Sequence, residues 1–201
     1  MKRAAIEKAK ARIEDARIAL EAVKASEDFA DFRYAWKDFL AALKGVHSIF
    51  EASATAKKDP KAYGWYARKI GERRRDPLLR YVHAARNAEE YGVEPIAEHV
   101  PALMTIGGPG ETIHVRTLIF GEDGKIAHYD VTTPDGKLVL PKITPAHVKL
   151  ITVHDERFGD SFDPPKEHLG KSVRIGSPLE VAELALSYHE RLVDEAERYV
   201  T

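Results

Sequence analysis

The polar residues between Arg80 and Gly92 form the densest group in the chain that could take part in chemistry. The stretch reads RYVHAARNAEEYG and contains a histidine, two arginines, an asparagine and two glutamates. An arginine can hold a phosphate or a carboxylate through its fixed fork of donors, and a histidine can exchange a proton near neutral pH. These residue types predict a site that binds an anion or transfers a proton beside one. The alternative is a polar helix face.

Helical spacing places these polar side chains on different sides of one helix. Successive residues turn by about 100°, so one arc receives most of the groups that could act on a ligand. That arc contains His83, Asn87, Glu90 and Tyr91. The apolar stripe beside it, made by Leu79, Val82 and Val93, lies nearer to Arg86. A guanidinium cannot lose its proton, so Arg86 is expected to meet either a ligand anion or a buried glutamate of another helix.

Four helices are predicted in the part of the chain that carries this stretch. Apolar residues recur every three or four positions over 2–24 and over 27–56, and the short junction near Ser26 favours an antiparallel pair. Asp59-Pro60 and Asp76-Pro77 each read as a helix cap followed by proline, so two more helices should begin near 60 and 76. Gly92 is predicted to end the fourth helix in a left-handed turn.

After Pro95, the spacing of apolar residues changes from the pattern of a helix to that of a β-strand. Segments with a strand pattern are 113–120, 125–131, 137–140 and 148–153, and glycine-containing turns separate the first three. They predict a small antiparallel sheet of about four strands. An ordered connector is expected over 155–176, and Ser177-Pro178-Leu179-Glu180 reads as a capping box that opens a last helix.

These elements predict an α+β protein. We expect a helical bundle over 1–98, an antiparallel β insertion with its connector over 99–176, and a C-terminal helix over 177–201. The last helix carries a continuous apolar stripe that must be buried, so it is expected to pack back on the bundle.

The pair Arg86-Asn87, near the end of the last core helix of such a bundle, resembles the R-N-x-x-x-H element of the HEPN superfamily. Many members of that superfamily are metal-independent enzymes that cleave RNA and act as dimers. The resemblance covers roughly the first half of the sequence, with the last helix. The chain departs from the element at its final position, where Tyr91 stands in place of the histidine.

The resemblance implies a role for each matching residue. Arg86 would hold the scissile phosphate, and Asn87 would orient the phosphate or the second arginine across a dimer cleft. The missing histidine would have been the general acid or base. A tyrosine at position 91 is a poor base at neutral pH, since its ordinary pKa is about 10. His83 is then the nearby imidazole that could replace the histidine.

A basic run precedes this stretch and could follow a nucleic-acid backbone. Its candidate contacts are Arg73, Arg74, Arg75 and Arg80. The alternative is a solvated helix face, because Glu72 and Asp76 interrupt the run. Lys and Arg number 31 against 32 Asp and Glu, a balance that argues against nucleic-acid binding over the whole surface.

Several chemistries are excluded by composition and spacing. The chain has no cysteine, and its histidines lack the spacing of metal ligands, so we expect no metal site. The glycine-rich segment 106–112 lacks the lysine and the following helix of a phosphate loop, and neither haem nor a nucleotide cofactor is expected. The absence of a leader-like or membrane-spanning apolar run predicts a cytoplasmic protein.

Together these features predict a HEPN-like domain of the RNA-binding or ribonuclease type, with activity that is weak, redirected through His83, or lost. An active form would be a metal-independent endoribonuclease. The alternative is a non-enzymatic module whose bundle assembles and whose sheet binds a protein or a small ligand. Long amphipathic helices favour a homodimer in either case.

Overall fold

The structure is a computed structural model that describes residues 1–56, 59–155, 159–173 and 177–200. The helices are α1 (Arg3–Ala25), α2 (Phe29–Ala56), α3 (Pro60–Arg75), α4 (Pro77–Tyr91) and α5 (Pro178–Glu197). The strands are β1 (Ala97–Val100), β2 (Leu103–Ile106), β3 (His114–Phe120), β4 (Ile126–Thr132), β5 (Pro141–Thr144), β6 (His147–Leu150), β7 (Val153–Asp155), β8 (Asp160–Phe162), β9 (Glu167–His168) and β10 (Lys171–Ser172). Helices combined with small antiparallel ladders confirm the predicted α+β class.

The two Asp-Pro pairs begin helices as the sequence predicted. Asp59 accepts hydrogen bonds from the backbone amides of Lys61 and Ala62 at 3.0 and 3.3 Å. Asp76 accepts one from the backbone amide of Leu79 at 2.9 Å. Proline occupies the first turn of both helices, where its missing N–H leaves no helical hydrogen bond unmade.

Gly92 follows the last residue of α4, but the left-handed turn predicted there is wrong. Its φ is −89°, in the extended region. A Cβ atom at this position would lie 2.8 Å from the carbonyl oxygen of Ala88. The close approach of two backbone segments, rather than a positive φ, therefore requires glycine here.

The helices share one hydrophobic core. The residues predicted on the apolar face of α1 are buried, and α2 adds the largest aromatic side chains. Trp36, Phe39 and Phe50 are each no more than 1% exposed. The three-residue link 26–28 turns the chain back, so that α1 and α2 pack along each other as an antiparallel pair.

The C-terminal helix returns to this core, as predicted. α5 packs against α1, α2 and α4, and its buried face includes Ala182, Val193 and Ala196. Burial against other helices stabilises a stripe that would leave a lone helix marginal in water. The predicted capping box is wrong in one respect, because the Ser177 side chain makes no capping hydrogen bond.

The strands form separate two-stranded ladders, so the prediction of one sheet of about four strands was wrong. β3 and β4 form the predicted hairpin, with Leu118 opposite Tyr129. β2 pairs with β5 and β1 pairs with β6, which joins distant parts of the chain. The predicted strand 137–140 forms no ladder, although Leu138 bridges Thr132 and backbone hydrogen bonds join Lys137 to Thr133 and Val139 to Val131. Alternation of residue types identifies a strand but does not identify its partner.

The chain divides into two compact units. The first contains Met1–Glu98 and Val148–Thr201, and the second contains His99–His147. The second unit is shorter than the predicted insertion 99–176. The reason is that β7, β8 and β9 contact α4 and belong with the helices.

Candidate functional site

Two cavities of the first unit border α4 and divide its polar side chains. The α4 cleft, between the end of α4 and β7, has a volume of about 500 Å³ and is lined by Asn87 and Tyr91. The cationic crevice, between α2, α3, α4 and α5, has a volume of about 20 Å³ and is lined by His83 and Arg86. His83 therefore does not line the same cavity as Asn87 and Tyr91, although the three positions fall within one arc of the helix as predicted. These positions span about 80° of the helix, and the border between the cavities falls within that span.

The α4 cleft brings Asn87 and Tyr91 together with His154 and Asp155 of β7. A hydrogen bond of 2.9 Å joins Nδ1 of His154 to Oγ of Ser161 on β8, and so orients the imidazole. Tyr91 is 77% exposed, which leaves its ring open to solvent. The cleft thus presents an amide, a phenol, an imidazole and a carboxylate to a ligand.

Arg86 lies between the two cavities. Its Nη1 donates to Oδ1 of Asn87 at 3.4 Å, and its guanidinium carbon is 5.5 Å from the centre of the Tyr91 ring. Its Nη2 is 3.6 Å from Oε2 of Glu90, whose side chain is 45% exposed. An ion pair that is this long and this open to water is weak. Among the described residues, Arg86 is therefore paired with an exposed glutamate of its own helix and not with a buried glutamate of another helix.

Three cationic side chains line the cationic crevice: Lys44, Arg73 and Arg86. Within the described ranges, Arg86 pairs with exposed Glu90, whereas Lys44 and Arg73 form no ion pair. Burial, followed by the positive charge of Arg73 and then by that of Arg86, lowers the pKa of Lys44, while Glu51 acts in the opposite direction. The crevice thus concentrates positive charge where water is scarce, and this favours an anion.

Two histidines complete the walls of the cationic crevice. Burial, followed by the charges of Arg73 and Lys44, lowers the pKa of His83 to about 4. Burial and then the neighbouring His189 lower the pKa of His47 well below its ordinary value. Both imidazoles are therefore neutral at pH 7. Both ring nitrogens of His47 are buried and have no hydrogen-bond partner among the described residues.

The four arginines predicted to bind nucleic acid do not share one surface. Arg73 lines the cationic crevice, whereas Arg74 and Arg75 are exposed on a shallow surface at the end of α3. The guanidinium carbon of Arg80 lies 5.2 Å from the centre of the Phe162 ring. Of the four, only Arg73 is brought next to Arg86 by the fold.

The site residues that sequence reasoning missed come from other elements. Lys44 and His47 lie on α2, and their spacing of three positions is the one signal in the sequence that they share a helix face. No sequence pattern indicates that His154 belongs to the site, because it reaches α4 through the contacts of β7, a strand far from α4 in the chain. Neighbours from distant segments cannot be read from local spacing.

No protein-family model, curated protein or solved structure gives a significant match to the chain. Over the described ranges, no group of three or more His, Asp or Glu side chains could hold a metal ion. No described helix is both long enough and apolar enough to cross a membrane.

Proposed function

We propose that the first unit is a HEPN-like domain of the RNA-binding type and that α4 provides its phosphate-binding surface. The observation that supports this function is the position of Arg86, which lies beside Asn87 and Tyr91 at the border of an open cleft. A guanidinium and an amide held side by side can bind phosphate oxygens, and an exposed tyrosine ring can stack on an RNA base.

RNA cleavage by this site is proposed to be weak or absent. Attack by the 2′-hydroxyl needs one group that accepts its proton and another that protonates the leaving oxygen. Position 91 is tyrosine, and His83 lines the cationic crevice instead of the α4 cleft. With a pKa of about 4, His83 is deprotonated at pH 7 and cannot serve as a general acid. His154 lines the α4 cleft and is the imidazole through which residual cleavage would proceed.

The test is RNA binding with fluorescently labelled single-stranded RNA at low salt, in the presence of a chelator. Replacing Arg86 by glutamine is expected to weaken binding by about tenfold, as for the loss of one charge-assisted hydrogen bond. Arg3→Gln is the matched control, because it removes the same charge from an exposed position on α1. Absence of binding by the wild type, or equal losses in both variants, would contradict the proposal.

Cleavage of the same RNA identifies the acid–base residue. Any slow cleavage by the wild type is expected to disappear in His154→Gln and to persist in His83→Gln. The reverse pattern would restore His83 to the role predicted from the sequence.

A second candidate function, a non-enzymatic dimeric module, is favoured by the composition of the second unit's surface. Val131 is the one buried residue between His99 and His147. Large apolar side chains that are more than half exposed in this unit are Leu103, Val115, Ile119, Phe120, Leu138, Leu140 and Ile143. A unit with so small a core gains little stability from its own packing, and exposed apolar side chains in such number are typical of an interaction surface.

Sedimentation of the wild type and of Ile143→Glu tests this candidate. A dimer that dissociates in the variant, while neither protein binds RNA, would favour the module over the RNA-binding domain. A wild-type monomer at all concentrations would exclude the dimeric module.

A further inference from the structure

We infer that the cationic crevice binds a phosphate group by admitting one of its oxygen atoms. Lys44, Arg73 and Arg86 form the mouth of this site, and the His47 imidazole forms part of its wall. This site shares Arg86 with the proposed RNA-binding surface, but its cavity is separate from the α4 cleft and the inference goes beyond the proposed function. Lys44, Arg73 and His47 have no counterpart in the R-N pair that suggested RNA binding.

The mouth of the crevice has the charge that a phosphate needs. Lys44, Arg73 and Arg86 come from three different helices and line one small cavity. Among the described residues, one carboxylate forms an ion pair with these cations. It belongs to exposed Glu90 and lies 3.6 Å from Arg86. The buried Nε of Arg86 also has no hydrogen-bond partner in the described part of the chain. A phosphate would neutralise these cations and accept hydrogen bonds from them.

The His47 side chain gives independent support for a ligand. His47 is 3% exposed, and both of its ring nitrogens lack a partner among the described residues. A neutral imidazole has one N–H donor, and a buried donor that is left unpaired destabilises the folded chain. His47 lines the crevice, so we infer that the oxygen atom entering the crevice is the missing partner of this donor.

The size of the crevice limits what can enter. Its volume of about 20 Å³ is close to that of one water-sized group. One non-bridging phosphate oxygen fits, while the phosphorus atom and the remaining oxygens would stay at the cationic mouth. Apolar side chains, among them Leu40, Leu43 and Val82, form much of the remaining wall and exclude a larger polar group.

Titration of the full chain with inorganic phosphate at pH 7 tests the site, with calorimetry for affinity and NMR of the histidine rings for location. The wild type is expected to bind one phosphate saturably, with shifts of the His47 and His83 ring signals. Arg73→Gln and Lys44→Gln are each expected to weaken binding by about tenfold. Arg68→Gln, an exposed position on the same helix as Arg73, is expected to bind within about twofold of the wild type.

Three results would overturn the inference: no saturable binding by the wild type, equal weakening in Arg73→Gln and Arg68→Gln, or binding without a shift of the His47 signals. Circular dichroism of each variant shows whether the helices are intact. RNA binding without phosphate binding would overturn this inference and leave the proposed function standing. Phosphate binding without RNA binding would support this inference and contradict the proposed function.

The source of the phosphate is identified by two RNAs that differ only at the 5′ end. Tighter binding of the 5′-phosphorylated RNA than of the 5′-hydroxyl RNA, lost in Arg73→Gln, would support the site as one for terminal phosphates. Equal binding of both RNAs, with saturable binding of inorganic phosphate, would support it as a site for free phosphate.

Discussion

Individual charged residues around α4 influence one another through a poorly hydrated space. Burial is the largest cause of the low pKa of His83, and Arg73, Lys44 and Arg86 lower it further, while Asp155 raises it. Removing a neighbouring positive charge favours the protonated imidazole, and so does adding an anion. The pKa of His83 therefore reports the charge in the cationic crevice.

We predict that the pKa of His83, followed by NMR, is about 4 in the wild type and rises in Arg73→Gln. The physical reason is the loss of a cation that opposes protonation. Arg68→Gln should leave the titration unchanged, because its guanidinium is exposed on another part of α3. A wild-type midpoint near the ordinary histidine value, or an Arg73→Gln midpoint equal to that of the wild type, would show that the crevice is open to water.

At this scale, helical spacing could predict the neighbours of Arg86 on its own helix but not those on other elements. Glu90 lies four positions after Arg86, a spacing that brings two helical side chains together, and the ion pair between them follows from it. The approach of Lys44 and Arg73 depends on how three helices pack, and the approach of β7 depends on strand pairing. Those contacts join residues far apart in the sequence, so no local pattern encodes them.

At the scale of elements, the start of α4 is attached to the connector that precedes α5. Asp76 is 6% exposed and accepts from the backbone amides of Leu79 and Leu169 at 2.9 and 2.6 Å. Its Oδ1 also lies 3.0 Å from Nδ1 of buried His168. Leu169 has a φ of 48°, a left-handed conformation that the β9–β10 turn imposes on it. One carboxylate thus caps the helix and holds the turn.

We predict that Asp76→Ala lowers the free energy of unfolding by about 3 kcal/mol, since it removes a helix cap and leaves buried donors unpaired. Asp59→Ala is the control, because Asp59 caps α3 from a more exposed position and should cost about 1 kcal/mol. Urea unfolding measures both. Equal losses in the two variants would mean that the bond to His168 adds no stability.

The helices could be predicted from sequence far better than the strands. Apolar spacing, the two Asp-Pro pairs and Ser177-Pro178 place the start of each helix within two residues of the one observed, because cap and proline chemistry is local, whereas the last helix, predicted to run to 201, ends at Glu197. Of the five ladders, the β3–β4 hairpin was predicted, because its strands are neighbours in the chain joined by a short turn. β1 with β6 and β2 with β5 join strands that lie far apart in the chain, and each ladder is short.

For the molecule as a whole, three histidines with lowered pKa values, two of them buried and one half-buried, make stability depend on pH. They are His47, His83 and His189. Burial lowers the pKa of His189 to about 4, and its hydrogen bond to the Ala185 carbonyl acts in the opposite direction. In the unfolded chain these groups take up protons below about pH 6.5. The unfolded state then binds more protons than the folded state, so stability falls as the pH is lowered.

We predict that the free energy of unfolding is constant above about pH 6.5 and falls as the pH approaches 4. His189, which is 3% exposed, contributes roughly 3 kcal/mol of this loss over the full range. Urea unfolding at pH 7.5 and pH 5 measures the change. His189→Gln should show a smaller difference between the two pH values. Equal stability of the wild type at both would contradict the burial of neutral histidines.

The salt dependence of RNA affinity shows whether Arg86 on α4 contacts an RNA phosphate. For single strands, the logarithm of the association constant falls against the logarithm of salt concentration with a slope of about −0.7 for each phosphate neutralised. Arg86→Gln is expected to reduce the steepness of this slope by about 0.7, whereas Arg3→Gln should leave it unchanged. A slope in Arg86→Gln equal to that of the wild type, or no RNA binding at low salt, would contradict this contact.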